Sequence, residues 1–353
     1  MAIVFAILIF SFLIFIHELG HFLAAKASGV QVNEFAMFMG PAILKWQRGE
    51  TQYSIRCIPL GGYCAMEGED TDTDNPRSFQ KAAWWKRLCI LIAGAAMNFL
   101  AGFLIFALVL SPAQGFAQPV IAEAEEGNTI VYEEGLHIGD RIVKINGSRV
   151  YISSDATMLF SLNPGDTYDL VVERNGAKVE LQNFLMERHE FPNADGTSSQ
   201  RFGILFGYEE KNFGTLMKYT WRSCLSVVQN VKLSLQMLLT GQAGLKDVAG
   251  PAGIVNMMNE TAKVSPTARD ALFNLLYLGA FIAVNLAVMN LLPIPALDGG
   301  RAVALLLTVA VERITRRKID PKYEGYIHAA GMIVLLAFMA IVTFKDIFVI
   351  FKG

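Results

Sequence analysis

Charge is scarce in this chain of 353 residues, where Asp, Glu, Lys and Arg together make up 18%, against about 25% in an average soluble domain. Neither sign dominates: 30 basic side chains face 32 acidic ones, for a formal net charge of -2. The basic face that nucleic-acid binding requires is missing, so no nucleic-acid partner is expected. Cysteine is rare too. Cys57, Cys64, Cys89 and Cys224 are widely spaced and form no CxxC pair, which argues against a disulfide framework and against a thiolate zinc site. Low-complexity tracts are absent while Leu, Ile, Val and Phe abound, which excludes a disordered chain. No Lys or Arg precedes the first apolar run, and that run is longer than a signal-peptide core, so cleavage is not expected.

What the chain has is apolar surface. Hydrophobic residues make up 53% and mean hydropathy is +0.38, the signature of a membrane protein. Four runs are long enough to span a bilayer: about 2–25, 88–110, 271–292 and 327–348. The first is interrupted only by Ser11, His17, Glu18, Gly20 and His21. The second is entered through Lys81, Trp84, Trp85, Lys86 and Arg87, a cationic and aromatic belt. Between the last two lie Arg313, Arg316, Arg317, Lys318 and Lys322. The stretch 219–240 is apolar but carries Arg222, Gln229, Asn230, Lys232 and Gln236. Counting it as a span would put the two basic loops on opposite sides, so it is expected to be an amphipathic helix against the outer face. Both basic loops then face the cytoplasm, both termini lie outside, and 113–270 is extracytoplasmic, with Lys345 and Lys352 a mild violation of the charge rule.

Residues 32–43, 52–58 and 61–66 read as three short strands punctuated by Gly40-Pro41, Gly49 and Gly61-Gly62. Open strand edges are not tolerated against lipid, so these must line a protein cavity or its cytoplasmic mouth. The acidic run at 67–74 reads as a solvated linker. In the outer segment, Gly139-Asp140-Arg141-Ile142-Val143-Lys144-Ile145-Asn146-Gly147 is a glycine turn, an alternating strand and an Asn-Gly turn. A second hairpin joins 168–173 to 178–181, and Glu123, Glu125, Glu126, Glu133 and Glu134 read as a solvated face. The first segment resembles the Gly-Asp-x-Ile-x-x-Ile-Asn-Gly of PDZ modules, which bind extended peptides by strand addition. The expected architecture is a membrane α-helical bundle of about four transmembrane helices with a re-entrant β region and one extracytoplasmic PDZ-like α/β domain. Its divisions are 1–112 (first two spans and re-entrant strands), 113–200 (PDZ-like domain), 201–270 (amphipathic membrane-surface connector) and 271–353 (last two spans).

The chemistry sits in the first span. His17-Glu18-Leu19-Gly20-His21 is a His-Glu-x-x-His arrangement; positions i and i+4 share a helix face, so both imidazoles can reach one ion. Glu18 sits where its carboxylate can reach a water beside the ion rather than the ion itself. Ionisable groups within a membrane are costly and mark functional sites. A hydrolytic zinc site takes three protein ligands and leaves one position open. Asp298 is the best candidate for the third, because Pro293 and Pro295 break the helix before it and free backbone to line a cavity. His328, at the start of the last span, is the rival. His137 and His189 lie in the outer module, on the wrong side.

Taken together, His-Glu-x-x-His and Asn290-Leu291-Leu292-Pro293-Ile294-Pro295-Ala296-Leu297-Asp298-Gly299 resemble the site-2 proteases, the intramembrane zinc metalloproteases. The resemblance continues through Pro59-Leu60-Gly61-Gly62-Tyr63, Ala93-Gly94-Ala95-Ala96-Met97-Asn98-Phe99 and Gly250-Pro251-Ala252-Gly253-Ile254. It covers the whole chain and is strongest to the bacterial regulator-of-sigma-E protease branch, with room here for one PDZ domain where the branch's best-known member carries two. It implies zinc held by His17, His21 and Asp298, and Glu18 as general base. It also implies Asn290 as a substrate-binding or oxyanion-stabilising group, and Gly61, Gly62, Tyr63, Asn285, Pro293 and Pro295 as substrate contacts. Gly94 and Asn98 could equally be packing residues. The implied substrate is a transmembrane-helix protein or peptide, such as an anti-sigma factor or a signal-peptide remnant, first cut by an upstream site-1 protease. The implied place is the bacterial cytoplasmic membrane, with the zinc site toward the cytoplasm. The alternative class is a membrane helix-binding scaffold or a zinc carrier, neither of which needs a base at Glu18.

Overall fold

The structure, a computed structural model, describes residues 2–352 except 70–72, 126, 129, 133, 134, 164, 193–196, 245 and 317–321, with the side chains of 2, 60, 322–324 and 350–352 also left out. Asp70, Asp72, Glu126, Glu133, Glu134, Arg317, Lys318 and the side chain of Lys322 therefore lie outside the described residues. Among the described residues, four helices are long and apolar enough to cross a membrane: Ile3–Ser28, Trp84–Leu110, Ala268–Asn290 and Gly325–Val349. They belong to α1 (Ala2–Ser28), α2 (Trp84–Leu110), α6 (Ala268–Asn290) and α8 (Lys322–Lys352). A helix satisfies its own backbone groups, which is what lets an apolar segment live in lipid. The chain divides into two compact units, Met1–Ile105 with Leu233–Gly353, and Phe106–Lys232.

In the first unit, α1 and α2 cross where glycine permits close approach. A methyl group on Gly20 would stand 2.4 Å from the Ala93 carbonyl oxygen, closer than any side chain allows. Following α1, β1 (Val32–Arg48) and β2 (Thr51–Met66) form an antiparallel pair. Three strands were expected here, and the structure corrects this to two. The chain turns at Gly49-Glu50, while Gly40 (φ 83°), Gly61 (φ 77°) and Phe38 (φ 71°) bend strands that continue past them. A bulge re-aims a strand without ending it, and neither glycine nor proline distinguishes the two outcomes in sequence. The bending folds the hairpin on itself, so Phe35 faces Cys64 on one side and Tyr53 on the other, and Ala36 likewise faces Tyr63 and Ser54. Glu34 ties this together, accepting from Ser54 Oγ and Arg56 Nη2, both at 2.7 Å. Burial alone would raise its pKa, but these donors with Tyr63 and Gln52 hold the carboxyl at about 2. Glu50, in the turn, accepts from Lys26 at the end of α1 and from Arg77, which anchors the hairpin to the helix before it.

The helix α5 (Pro251–Val264) begins in the Gly250-Pro251-Ala252-Gly253 segment. The amides of Gly250 and Gly253 both donate to Asp346 Oδ2 on α8 at 2.8 Å. A carboxylate at a helix N-terminus satisfies groups that have no partner within the helix. Beyond α6 the chain makes a tight turn through Pro293, Pro295 and Ala296 (φ 84°) before α7 (Asp298–Thr315). Gly299 and Gly300 open α7 against that turn: a Cβ on either would lie 2.2–2.4 Å from carbonyl oxygens of Leu291, Leu292 or Ile294. No other residue fits there, so the glycines fix where Asp298 stands.

The second unit is built on a six-stranded antiparallel sheet. Its strands are β3 (Gly115–Ala124), β4 (Arg141–Ile145), β5 (Ser148–Arg149), β6 (Thr167–Arg174), β7 (Ala177–Leu185) and β10 (Ile204–Glu210). Their order is β10-β3-β4-β6-β7, with β5 paired to β4 through the Asn146-Gly147 turn. The strands β8 (His189–Pro192) and β9 (Ser198–Arg201) form a separate pair, and α3 (Ser153–Leu162) is the module's helix. Two expectations for 201–270 change. Residues 204–210 are an edge strand of the sheet rather than a connector, because Ile204, Phe206 and Tyr208 pair with Ala124, Ile121 and Ala117 across 80 residues of sequence. The helix α4 (Phe213–Leu239) does turn one face inward, but that stripe from Thr215 to Val231 packs on protein. Tyr219 stacks on Phe116, and Ser226 donates to Asp155 of α3.

Candidate metal centre

One turn apart on α1, His17 and His21 present their Nε2 atoms to each other at 3.2 Å. Asp298 Oδ2, at the start of α7, lies 3.1 Å from His17 Nε2 and 3.4 Å from His21 Nε2. Among the described residues these three are the group of donors able to hold one metal ion. Their spacing can be tested. Ligands at about 2.0–2.1 Å from a tetrahedral zinc ion stand about 3.3–3.4 Å from one another, close to the triangle seen here. The protons agree. His21 Nδ1 donates to the Ile90 carbonyl at 2.8 Å, which leaves a lone pair on Nε2 of the neutral ring. Asp298 Oδ2 is buried with no hydrogen-bond partner. Without a cation, an imidazole must carry a second proton to face this carboxylate; a zinc ion takes the place of that proton, so the residues fit zinc.

Close helix packing builds this geometry. A Cβ on Gly94 of α2 would stand 2.4 Å from His21 Nε2 and 2.7 Å from His17 Cε1. Glycine there lets α2 press both rings into place. The Gly94 segment, which sequence left balanced between packing and function, thus touches both imidazoles.

A cavity of about 720 Å³ opens over the triad. Its lining includes His17, Glu18, His21 and Asp298, with Tyr63, Cys64, Ala65 and Met66 of β2. Glu18 is flanked by β2: the backbone amide of Cys64 faces its carboxylate, and a Cβ on Gly62 would touch its Cγ at 3.4 Å. Burial, with the charges of Glu18 and Glu69 nearby, pushes the Cys64 thiol well up, which keeps it protonated. Arg301 of α7 and Glu69 also line the cavity and pair with each other. Sequence reasoning missed that pair, although Arg301 follows Asp298 by one helical turn.

The other expected site residues distribute unevenly. Asn290 ends α6 with its Nδ2 3.5 Å from His17 Nδ1. Tyr63 lines the cavity and Gly62 abuts Glu18, whereas Gly61 packs on Met39 of β1. Asn285 does not line the cavity, and Pro293 and Pro295 line a separate small pocket with His328. His328 Nδ1 accepts from the Ala296 amide at 3.1 Å, so that ring serves the turn and stands outside the triad.

Comparison with known proteins places these residues in context. The model of peptidase family M50 matches residues 5–338. A Clostridium acetobutylicum protein, named provisionally as a zinc metalloprotease, is 38% identical over 351 residues, covering 98% of this chain and 97% of its own. A Clostridium perfringens protein with the same kind of name is 35% identical over 98% of both chains. The regulator of sigma-W protease RasP of Bacillus subtilis is 27% identical over 97% of each.

Proposed function

This chain belongs to peptidase family M50 and is a zinc-dependent membrane metalloprotease, and from that premise we propose how its residues divide the work. His17, His21 and Asp298 hold zinc, and Glu18 is the general base. The substrate is a membrane protein cut in or beside a transmembrane segment, as in regulated intramembrane proteolysis. The observation that carries this is the convergence of two histidines of a membrane-spanning helix with the Asp298 carboxylate at the start of α7, with Glu18 in the same cavity.

Zinc bound there supplies Lewis acidity, which lowers the pKa of water to about 7 and polarises a carbonyl. Glu18 takes the proton of the attacking water and passes it to the leaving amine. The Asn290 amide is suited to donate to the oxygen that gains charge. A helical substrate hides its carbonyls in its own hydrogen bonds and must unwind to be cut. The 62–66 part of β2 pairs with β1 on one side and runs beside Glu18 on the other. That free side supports edge pairing with an extended substrate, with Gly62 and Tyr63 as its contacts and Gly61 as the bend that aims it.

The six-stranded unit is a single PDZ-like domain on the extracytoplasmic side, supported by the Gly139–Asp140 turn and the β4–β5 hairpin that follow the PDZ pattern. The zinc site lies toward the cytoplasm of a bacterial cytoplasmic membrane. The B. subtilis relative is named as a regulator of sigma-W protease, which supports a membrane protein that controls a sigma factor as one substrate class; a first cut by a site-1 protease is part of the same proposal. A scaffold or carrier role is disfavoured, because neither needs a carboxylate beside the triad.

The test is cleavage of a panel of membrane-embedded helical peptides by detergent-purified protein, alongside Glu18→Gln, with zinc measured in both. Wild-type cleavage that drops by about 10²–10⁴-fold or more at equal zinc is expected. Equal cleavage by both proteins would remove Glu18 as the base.

A further inference from the structure

Two carboxamides face one nitrogen at this centre. Asn98 Nδ2 of α2 lies 3.4 Å from His17 Nδ1, and Asn290 Nδ2 of α6 lies 3.5 Å from the same atom. Asn98 is 2% exposed, and its Oδ1 is buried without a hydrogen-bond partner. The oxygen and nitrogen ends of a carboxamide exchange by a half-turn, and the surrounding partners decide which end faces a neighbour.

His17 constrains that choice. To offer a lone pair from Nε2, its neutral ring carries the proton on Nδ1, and a buried N–H needs an acceptor. For His21 that acceptor is the Ile90 carbonyl. For His17 two asparagines face Nδ1, and an NH2 from each would set donor against donor. One proton needs one acceptor. Asn98 is the buried member, and it lies one turn after Gly94 on the face of α2 that touches both rings. Asn290 ends its helix and is less buried.

We propose that Asn98 is a positioning residue whose carboxamide oxygen accepts the His17 Nδ1 proton, fixing the ring that presents Nε2, and that this leaves the NH2 of Asn290 for substrate. The inference rests on the zinc assignment made above. The two asparagines then have separable roles: Asn98 governs metal binding through His17, and Asn290 governs turnover.

The experiment uses the full chain in detergent. Zinc affinity is measured by chelator competition, and the visible spectrum is recorded after cobalt substitution, for wild type, Asn98→Leu, Asn98→Asp and Asn290→Leu, with kcat on a helical peptide. Asn98→Leu should weaken zinc by about 10–100-fold and shift the cobalt bands, the usual cost of losing a ligand's supporting partner. Asn98→Asp, which can only accept, should keep zinc within a few-fold of wild type. Asn290→Leu should keep zinc and the cobalt spectrum while kcat falls. Wild-type zinc affinity in Asn98→Leu would overturn the proposal. If that variant does not fold, the aspartate variant decides: loss of zinc from it would mean that Asn98 donates, and would equally overturn it. A wild type that holds no zinc would instead bring down the underlying assignment.

Discussion

Two carboxylates, one fully buried in the sheet unit and one partly buried in the membrane unit, show the difference between a structural site and a functional one. Asp140 in the sheet unit is fully buried and saturated. Its Oδ1 accepts from Arg174 Nε at 2.8 Å, and its Oδ2 accepts from Arg174 Nη2 at 2.7 Å and the His137 amide at 2.8 Å. Burial opposes its ionisation, but these donors hold its pKa below the ordinary value. Asp298 in the membrane unit has the opposite surroundings. Two imidazole nitrogens approach its Oδ2 within 3.4 Å, and that oxygen has no hydrogen-bond partner. A carboxylate with a full set of donors is finished by the protein, whereas one set against two imidazole nitrogens on a shared helix face is suited to be completed by a bound cation.

The comparison breaks most sharply at Asp298. Asp298→Asn should strip zinc from the purified protein and abolish cleavage while the helices stay folded, read by metal analysis and circular dichroism together. Retained stoichiometric zinc would erase the contrast with Asp140. Gly94→Ala sharpens it from the side of packing. Its methyl would enter the space of His21 Nε2, so zinc affinity should fall, and thermal stability should drop by about 1–3 kcal/mol from overpacking. Asp140→Ala should do the reverse. Loss of the carboxylate strands Arg174, which is partly exposed, at a cost of about 2–3 kcal/mol. Hydrogen exchange on the full chain should show faster opening across β4 and β6, with zinc content unchanged.

How far the sequence reached follows the same division. The spans were legible because an uninterrupted apolar run long enough to cross lipid has few other fates. His17 and His21 were legible because i and i+4 share a helix face, and Asp298 because two prolines break the chain just before it. Contacts between elements distant in sequence were not legible. Nothing local marks Ile90 as the carbonyl that sets the His21 ring, or brings Glu69 to Arg301. The edge strand at 204–210 pairs with residues some 80 positions earlier, and its own alternation does not name that partner. In the hairpin, Gly40-Pro41 and Gly61-Gly62 carry the marks of strand ends but act as bends, since pairing across the hairpin overrides local turn preference.

The smallest expected effect lies in that hairpin. Glu34 ionises near pH 2 when folded, against an ordinary 4.5. A depressed carboxyl stabilises the fold above its unfolded pKa and ceases to do so as pH falls through the folded one. The protection factors of the β1 and β2 amides, which correct for the intrinsic pH dependence of exchange, should therefore be constant down to about pH 4.5 and then fall toward pH 2. Glu34→Gln should flatten that dependence; an unchanged profile would remove Glu34 as the hairpin's tie.

The central claim is that two imidazoles and one carboxylate, with no thiolate, complete a zinc site within the membrane unit. X-ray absorption at the zinc edge on the purified full chain tests it directly. The account predicts stoichiometric zinc with two histidine nitrogens and light oxygen donors at about 2.0–2.2 Å. A sulfur scatterer at about 2.3 Å, which Cys64 in the cavity lining could supply, or zinc unaffected by Asp298→Asn, would contradict it.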